Sequence, residues 1–83
     1  MYAIIDTDGT IYGAGSTENG ARDAALGYID NHLPQDERLA LLNEMDCVPC
    51  SQALADEVAE WGGNIAYAMV DGVAVTEEEE KNA

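Results

Sequence analysis

Asp6 and Asp8 stand one residue apart at the end of an apolar run, Ile4-Ile5, and are followed at once by Gly9 and Thr10. Two carboxylates so placed have the makings of a phosphoryl-transfer site. One would act as nucleophile and the other as acid or base, with a divalent cation gathering the phosphate. Cys47 and Cys50 are the other chemically capable pair, leading toward a helix whose N-terminus would lower a thiol's pKa. Each pair also has a plain structural reading: Asp8-Gly9 is a strong hairpin turn signal, and two thiols serve as small core residues. Read as a calcium loop, Asp6, Asp8 and Gly9 leave Ile4 and Gly15 where carboxylates are required, and that reading fails. As a zinc site, the two cysteines and His32 fall short of four ligands unless chains pair. His32, between a helix end and Pro34, suits a helix-dipole partner better than a catalytic base.

The run Ile4-Ile5-Asp6-Thr7-Asp8-Gly9-Thr10-Ile11 resembles the first motif of the haloacid dehalogenase phosphohydrolases. That resemblance implies Asp6 as nucleophile, Asp8 as acid/base and Mg²⁺ as cofactor. The family's phosphate-neutralising lysine has no counterpart except Lys81 near the C-terminus, and no later acidic pair follows a strand. Cys47-Val48-Pro49-Cys50 resembles the redox motif of thioredoxin-like proteins. Its only proline outside the motif, Pro34, lies upstream, and Asp46 beside the first cysteine disfavours a thiolate. The expectation is therefore a hairpin and two reduced core cysteines: no enzyme, no catalytic residue, no cofactor and no metal.

The elements that must position any site come from turn signals and periodicity. Tyr2–Ile5 and Thr10–Tyr12 flank Asp8-Gly9 as one hairpin; Ile65–Val70 and Val73–Val75 flank Asp71-Gly72 as a second. Between them lie three helical stretches. Ser16 or Thr17 caps the first, which buries Ala21, Ala24, Ala25, Tyr28 and Ile29. Pro34 opens the second, with Asp36 and Glu37 complementing its dipole and Leu39, Leu42 and Met45 as its apolar stripe. Cys50 or Ser51 opens the third, which points Leu54, Val58 and Trp61 inward before Gly62-Gly63 stops it. The order ββαααββ predicts an α+β fold: an antiparallel sheet from two Asp-Gly hairpins with helices packed on one face. Residues 1–76 form one domain in this reading, and residues 77–83 an acidic, disordered tail.

Charge bounds the function. Of 83 residues, 17 are Asp or Glu and three are Lys or Arg, a formal charge of −14, while 47% are hydrophobic. That apolar content argues for a folded chain rather than acidic disorder. Contact with nucleic-acid phosphates or anionic lipid has the wrong electrostatic sign. No apolar run approaches the roughly 20 residues of a membrane span, and Met1–Asp6 has no basic region of a signal peptide, so a cytoplasmic setting is expected. The carboxylates fall in helical rows. Asp23 and Asp30 lie two turns apart, Asp56 and Glu60 one turn, with Asp36, Glu37 and Glu57 nearby in sequence. Four-residue spacing places charges roughly 6 Å apart along a helix axis, and one DNA strand presents a phosphate about every 3.4 Å. Adjacent acidic rows therefore approximate a stretch of nucleic-acid backbone.

In size, charge and compact α+β pattern the chain resembles the small acidic proteins that bacteriophages direct against host nucleic-acid machinery, anti-CRISPR proteins being the nearest group. The resemblance rests on whole-chain character rather than a motif. It implies an inhibitor that docks through Asp23, Asp30, Asp36, Glu37, Asp56, Glu57 and Glu60 on the basic groove of a Cas protein or surveillance complex, in a host bacterial cytoplasm. The alternative is a small acidic binding module with some other basic partner.

Overall fold

Two short hairpins bracket the chain, and their turns follow from glycine's access to positive φ. The first strand, β1 (Tyr2–Ile5), runs into a loop in which Gly9 N–H donates to the Asp6 carbonyl at 2.9 Å and Gly9 takes φ 89°. The chain returns as β2 (Ile11–Gly15). The second hairpin joins β4 (Tyr67–Val70) to β5 (Val73–Thr76) through Asp71 and Gly72. Their φ values of 54° and 81° are the paired positive angles of a type I′ turn, whose twist matches that of the flanking strands. The computed structural model describes residues 1–29, 32–62 and 65–82.

The helices start where their caps dictate. Thr17 accepts from Gly20 N–H to open α1 (Glu18–Tyr28), and Ser51 accepts from Leu54 N–H to open α3 (Gln52–Trp61). Pro34 precedes α2 (Gln35–Asn43), and Gly62 with φ 83° ends α3. The fold is α+β. Its helix and strand order follows the expected sequence with two additions: a strand, β3 (Asp46–Pro49), between α2 and α3, and a short helix, α4 (Glu77–Lys81), at the end. β3 pairs antiparallel with β1, Cys47 opposite Ile4, giving a sheet of order β2-β1-β3. The second hairpin is a separate two-stranded sheet, attached through a bridge between Cys50 and Ala74.

Alternation along β1 divides the core. Ala3 faces a cluster with Ile11, Cys50, Leu54, Ala55 and Ala74, which is the α3 and β5 side. Ile4 faces Ala21, Ala25, Ile29, Leu42 and Met45, the α1 and α2 side. Helices therefore cover both faces of the three-stranded sheet, and the one-face arrangement read from the sequence is corrected. Other inward assignments change as well. Ala24, Tyr28 and Leu39 are exposed, and Trp61 is 70% exposed. Trp61 continues the spacing of Leu54 and Val58 but, as the last residue of α3, stands outside the core.

The closest packing in the molecule is between α1 and β2. A Cβ on Gly13 would lie 2.4 Å from Ala25 N and 2.8 Å from Ala21 O; one on Gly15 would lie 2.8 Å from Ala21 N. These are backbone atoms and cannot swing aside. Between Ile4 and Ile5 the register shifts: Ile4 faces Gly13 but Ile5 faces Ile11, so Tyr12 is the extra residue of a β-bulge. The bulge returns Ile11 to the α3 side while leaving Gly13 and Gly15 under α1.

The expectation of a disordered acidic tail is corrected over Glu77–Lys81. Thr76 and Glu79 form a reciprocal capping box at the start of α4. The Glu79 carboxylate also accepts from Ser51 Oγ at 2.5 Å, so the cap of α4 is tied to the cap of α3. Those hydrogen bonds, Ser51 first and then the Thr76 backbone, hold the Glu79 carboxyl below its ordinary value.

Two stability predictions follow from this packing. Gly13→Ala should destabilise the domain by about 1–3 kcal/mol or more. Gly27→Ala, on an open helix surface with nothing within 4 Å of a new Cβ, should stabilise it by up to about 1 kcal/mol. Urea melts that rank the two variants in the opposite order would contradict the close α1–β2 contact. Ser51→Ala should cost about 0.5–2 kcal/mol as a lost N-cap. Combined with Glu79→Ala it should be less than additive, because one network is broken twice; strict additivity would deny the link between the caps.

Candidate functional site

The Asp6–Thr10 loop uses its carboxylates on itself. The Asp6 side chain accepts from Thr7 N–H at 2.8 Å and that of Asp8 from Thr10 N–H at 2.9 Å. The Thr10 bonds, backbone first, lower the Asp8 carboxyl from its usual value. Across the loop, the Tyr67 hydroxyl donates to the Gly9 carbonyl at 2.6 Å, pinning the first hairpin to the second. Burial, ahead of the nearby Asp8 charge, raises that phenol. This is the geometry of a braced turn. Among the described residues no three His, Cys, Asp or Glu side chains converge as a metal site.

The cysteines do not sit at a helix N-terminus as a pair. Cys47 lies within β3 and packs toward Ile4 and α1, whereas Cys50 lies past the strand end in the opposite core layer. Both are free thiols. Burial is the leading cause that raises both above the ordinary thiol value; Glu18 adds to it at Cys47, and at Cys50 the Met1 ammonium opposes it while Cys47 and Glu79 add to it. Such an environment favours the neutral thiol over the nucleophilic thiolate.

The acidic residues expected to bind a partner are distributed over three helices. Asp23 is exposed on α1, Asp36 and Glu37 on the first turn of α2, and Asp56 and Glu60 on α3; Glu57 is half-buried. Asp30 lies outside the described residues. Asp56 accepts from Gln52 Nε2 at 3.0 Å, a helical-turn contact, and Glu18 pairs with Arg22 at 3.1 Å. Since α1 and α2 cover one face of the sheet and α3 the other, the set is not a single patch. α2 carries Glu37 beside a cavity of about 390 Å³ with Leu33, Ala40, Leu41 and Glu44.

α1 and α3 nevertheless come to either side of β2. There a cavity of about 380 Å³ is floored by Tyr12, Gly13 and Ala14 and walled by Ala24, Gly27 and Tyr28 on one side and Val58, Ala59 and Gly62 on the other. Tyr12 and Tyr28 close one side edge to face, ring centroids 5.4 Å apart. Asp23 is one turn from Gly27 on α1; Asp56 and Glu60 flank Ala59 on α3. Sequence reasoning missed this groove. Its signal was the pair of small-residue steps, Ala24 to Gly27 and Ala59 to Gly62, on helix faces otherwise bearing acids.

Compared with known proteins, the chain matches no family, no curated sequence and no solved structure. No helix among the described residues is long and apolar enough to cross a membrane.

Buried thiols make a pH prediction. Because the folded state holds these protons more tightly than the unfolded chain, their contribution is complete below the unfolded thiol value of about 8.5 and is lost as pH rises through the higher folded values. Stability should therefore fall with pH above that point, more steeply in the wild type than in a Cys47→Ala/Cys50→Ala variant. Native protein should react slowly with a thiol reagent at neutral pH. Immediate, stoichiometric labelling of both thiols would contradict their burial.

Proposed function

We propose that this chain is an inhibitory binding protein whose folded acidic surface occupies the Lys/Arg-lined nucleic-acid groove of a partner. A Cas protein or CRISPR surveillance complex is the partner that the anti-CRISPR resemblance implies. The observation that supports the reading most is exposure of Asp23, Asp36, Glu37, Asp56 and Glu60 on three rigid helices, in a molecule whose three basic side chains cannot neutralise seventeen acids. A surface of this kind is costly for an isolated molecule, through self-repulsion, and that cost is relieved against a basic one. In docking, the carboxylates replace phosphates, and counterions held near the charged surfaces are released, as they are from DNA when it binds a basic protein. The inhibitor and the nucleic acid then compete for one site. The turn-bound Asp6 and Asp8 and the buried thiols have structural roles in this account and are not asked to react.

Competition titration of a candidate nuclease or surveillance complex with labelled target, at two ionic strengths, tests the proposal. Inhibitor and target should exclude one another, and affinity should fall steeply with salt. Asp56→Lys/Glu60→Lys should weaken the complex by about tenfold or more, as expected when close charge pairs are reversed, with the fold intact by circular dichroism. Simultaneous binding of inhibitor and target would overturn mimicry and leave an acidic module with another kind of partner.

A further inference from the structure

The outer edge of β2 is an unusual feature for a sheet edge. Among the described residues no strand pairs with it, since β2 is terminal in the order β2-β1-β3. Exposed edges are ordinarily blunted by charge or proline, yet Ile11-Tyr12-Gly13-Ala14-Gly15 has neither. The bulge at Tyr12 disturbs only one end, leaving the register regular from Gly13 to Gly15. The edge is not flat against solvent either: it forms the floor of the groove between α1 and α3.

The walls explain what such a floor would accept. Side chains of an added strand point alternately to the two faces of the sheet, here toward α1 and toward α3. The residues they would meet are small: Ala24 and Gly27 on one wall, Ala59 and Gly62 on the other. None of the lining residues is charged; the nearest acids along the two helices are Asp23, next to Ala24, and Asp56 and Glu60, within a turn of Ala59, all exposed. At the end of α3 the single tryptophan, Trp61, is 70% exposed one turn past groove-lining Val58. An exposed tryptophan beside an apolar groove is a common anchor for a partner and a favourable face for a cation.

We infer that the groove along the open edge of β2 docks an extended, basic segment of a partner protein, which adds a short strand to β2 between α1 and α3. Main-chain hydrogen bonds to Gly13–Gly15 hold the segment, small apolar side chains fill the walls, and flanking Lys or Arg reach the acids and Trp61. Charge selects this occupant. A second copy of the chain brings another −14 and is repelled, whereas a basic segment is attracted by the exposed acids that both helices carry. The inference rests on the proposed function for the sign of the partner's charge, but not for competition with nucleic acid.

The test uses the full chain and a short, capped, fluorescent peptide with central valines between arginine pairs, beside an analogue with glutamine for arginine. The basic peptide should bind and shift the emission of Trp61, and the glutamine analogue should bind about tenfold more weakly. Ala59→Leu fills one wall from an exposed position in a helix, and Ala24→Leu fills the other; neither changes net charge. Each should weaken the peptide by about tenfold, whereas Glu77→Lys/Glu80→Lys, outside the groove, should change it by roughly threefold or less. Binding that leaves Trp61 emission and both leucine variants unaffected would place the peptide elsewhere on the acidic surface and overturn the inference. No binding of the basic peptide at low salt would overturn it as well. Should the peptide dock on β2 while inhibitor and nucleic acid bind a basic partner together, the groove stands and mimicry falls. Should the chain compete with target while the basic peptide fails to bind, or binds without responding to either leucine variant, mimicry stands and the groove falls.

Discussion

The approach of α1 to β2 across Gly13 and Gly15 is the contact on which the rest of the structure depends. With no Cβ on either glycine, the backbone of α1 at Ala21 and Ala25 settles directly on the strand. That close approach fixes the height of α1 over the sheet and sets Ile4 against Ala21, Ala25, Ile29 and Leu42. The bulge at Tyr12 is its complement. Without the extra residue, Ile11 would turn toward α1 rather than into the cluster with Leu54 and Ala74, and the second layer would lose its largest fully buried strand side chain.

The core that results is thin. Its fully buried large side chains are Ile4, Ile11 and Leu54, and five of the buried residues are alanines: Ala3, Ala21, Ala25, Ala55 and Ala74. Small residues gain little from burial individually, at about 25 cal/mol per Å² of apolar surface. Close packing, interlocked caps and the Tyr67–Gly9 bond between hairpins must therefore carry much of the cohesion. This architecture opposes the mutual repulsion of the carboxylates. It also leaves the acids on rigid supports, so a partner that meets them bears little of the entropy of ordering them.

Much of this was legible in the chain. Both Asp-Gly turns, the caps at Thr17 and Ser51 and the glycine stop at Gly62 are local signals, and each forms as its chemistry dictates. β3 was hidden because Asp46–Pro49 is short and ends in proline; an edge strand tolerates that residue, since a ladder hydrogen bond on the outer side is not needed. α4 was masked by its own run of glutamates, although Thr76 and Glu79 hold the spacing of a capping box. Trp61 misled for another reason. It holds the spacing of Leu54 and Val58, but periodicity does not say whether anything packs against the last turn of a helix. The acidic residues were visible individually, while which of them share a side of the sheet depends on which faces α1, α2 and α3 cover, a long-range property that helical spacing does not encode.

On the proposed reading, a basic partner docks at the open edge of β2, between the acid-bearing helices α1 and α3. Amide hydrogen exchange of the full chain, alone and saturated with a basic nucleic-acid-binding partner, tests it most directly. New protection should be concentrated at Gly13–Gly15, with smaller changes along the acid-bearing turns of α1, α2 and α3. Protection confined to α2 and α4, with the β2 amides exchanging as they do in the free protein, would contradict it.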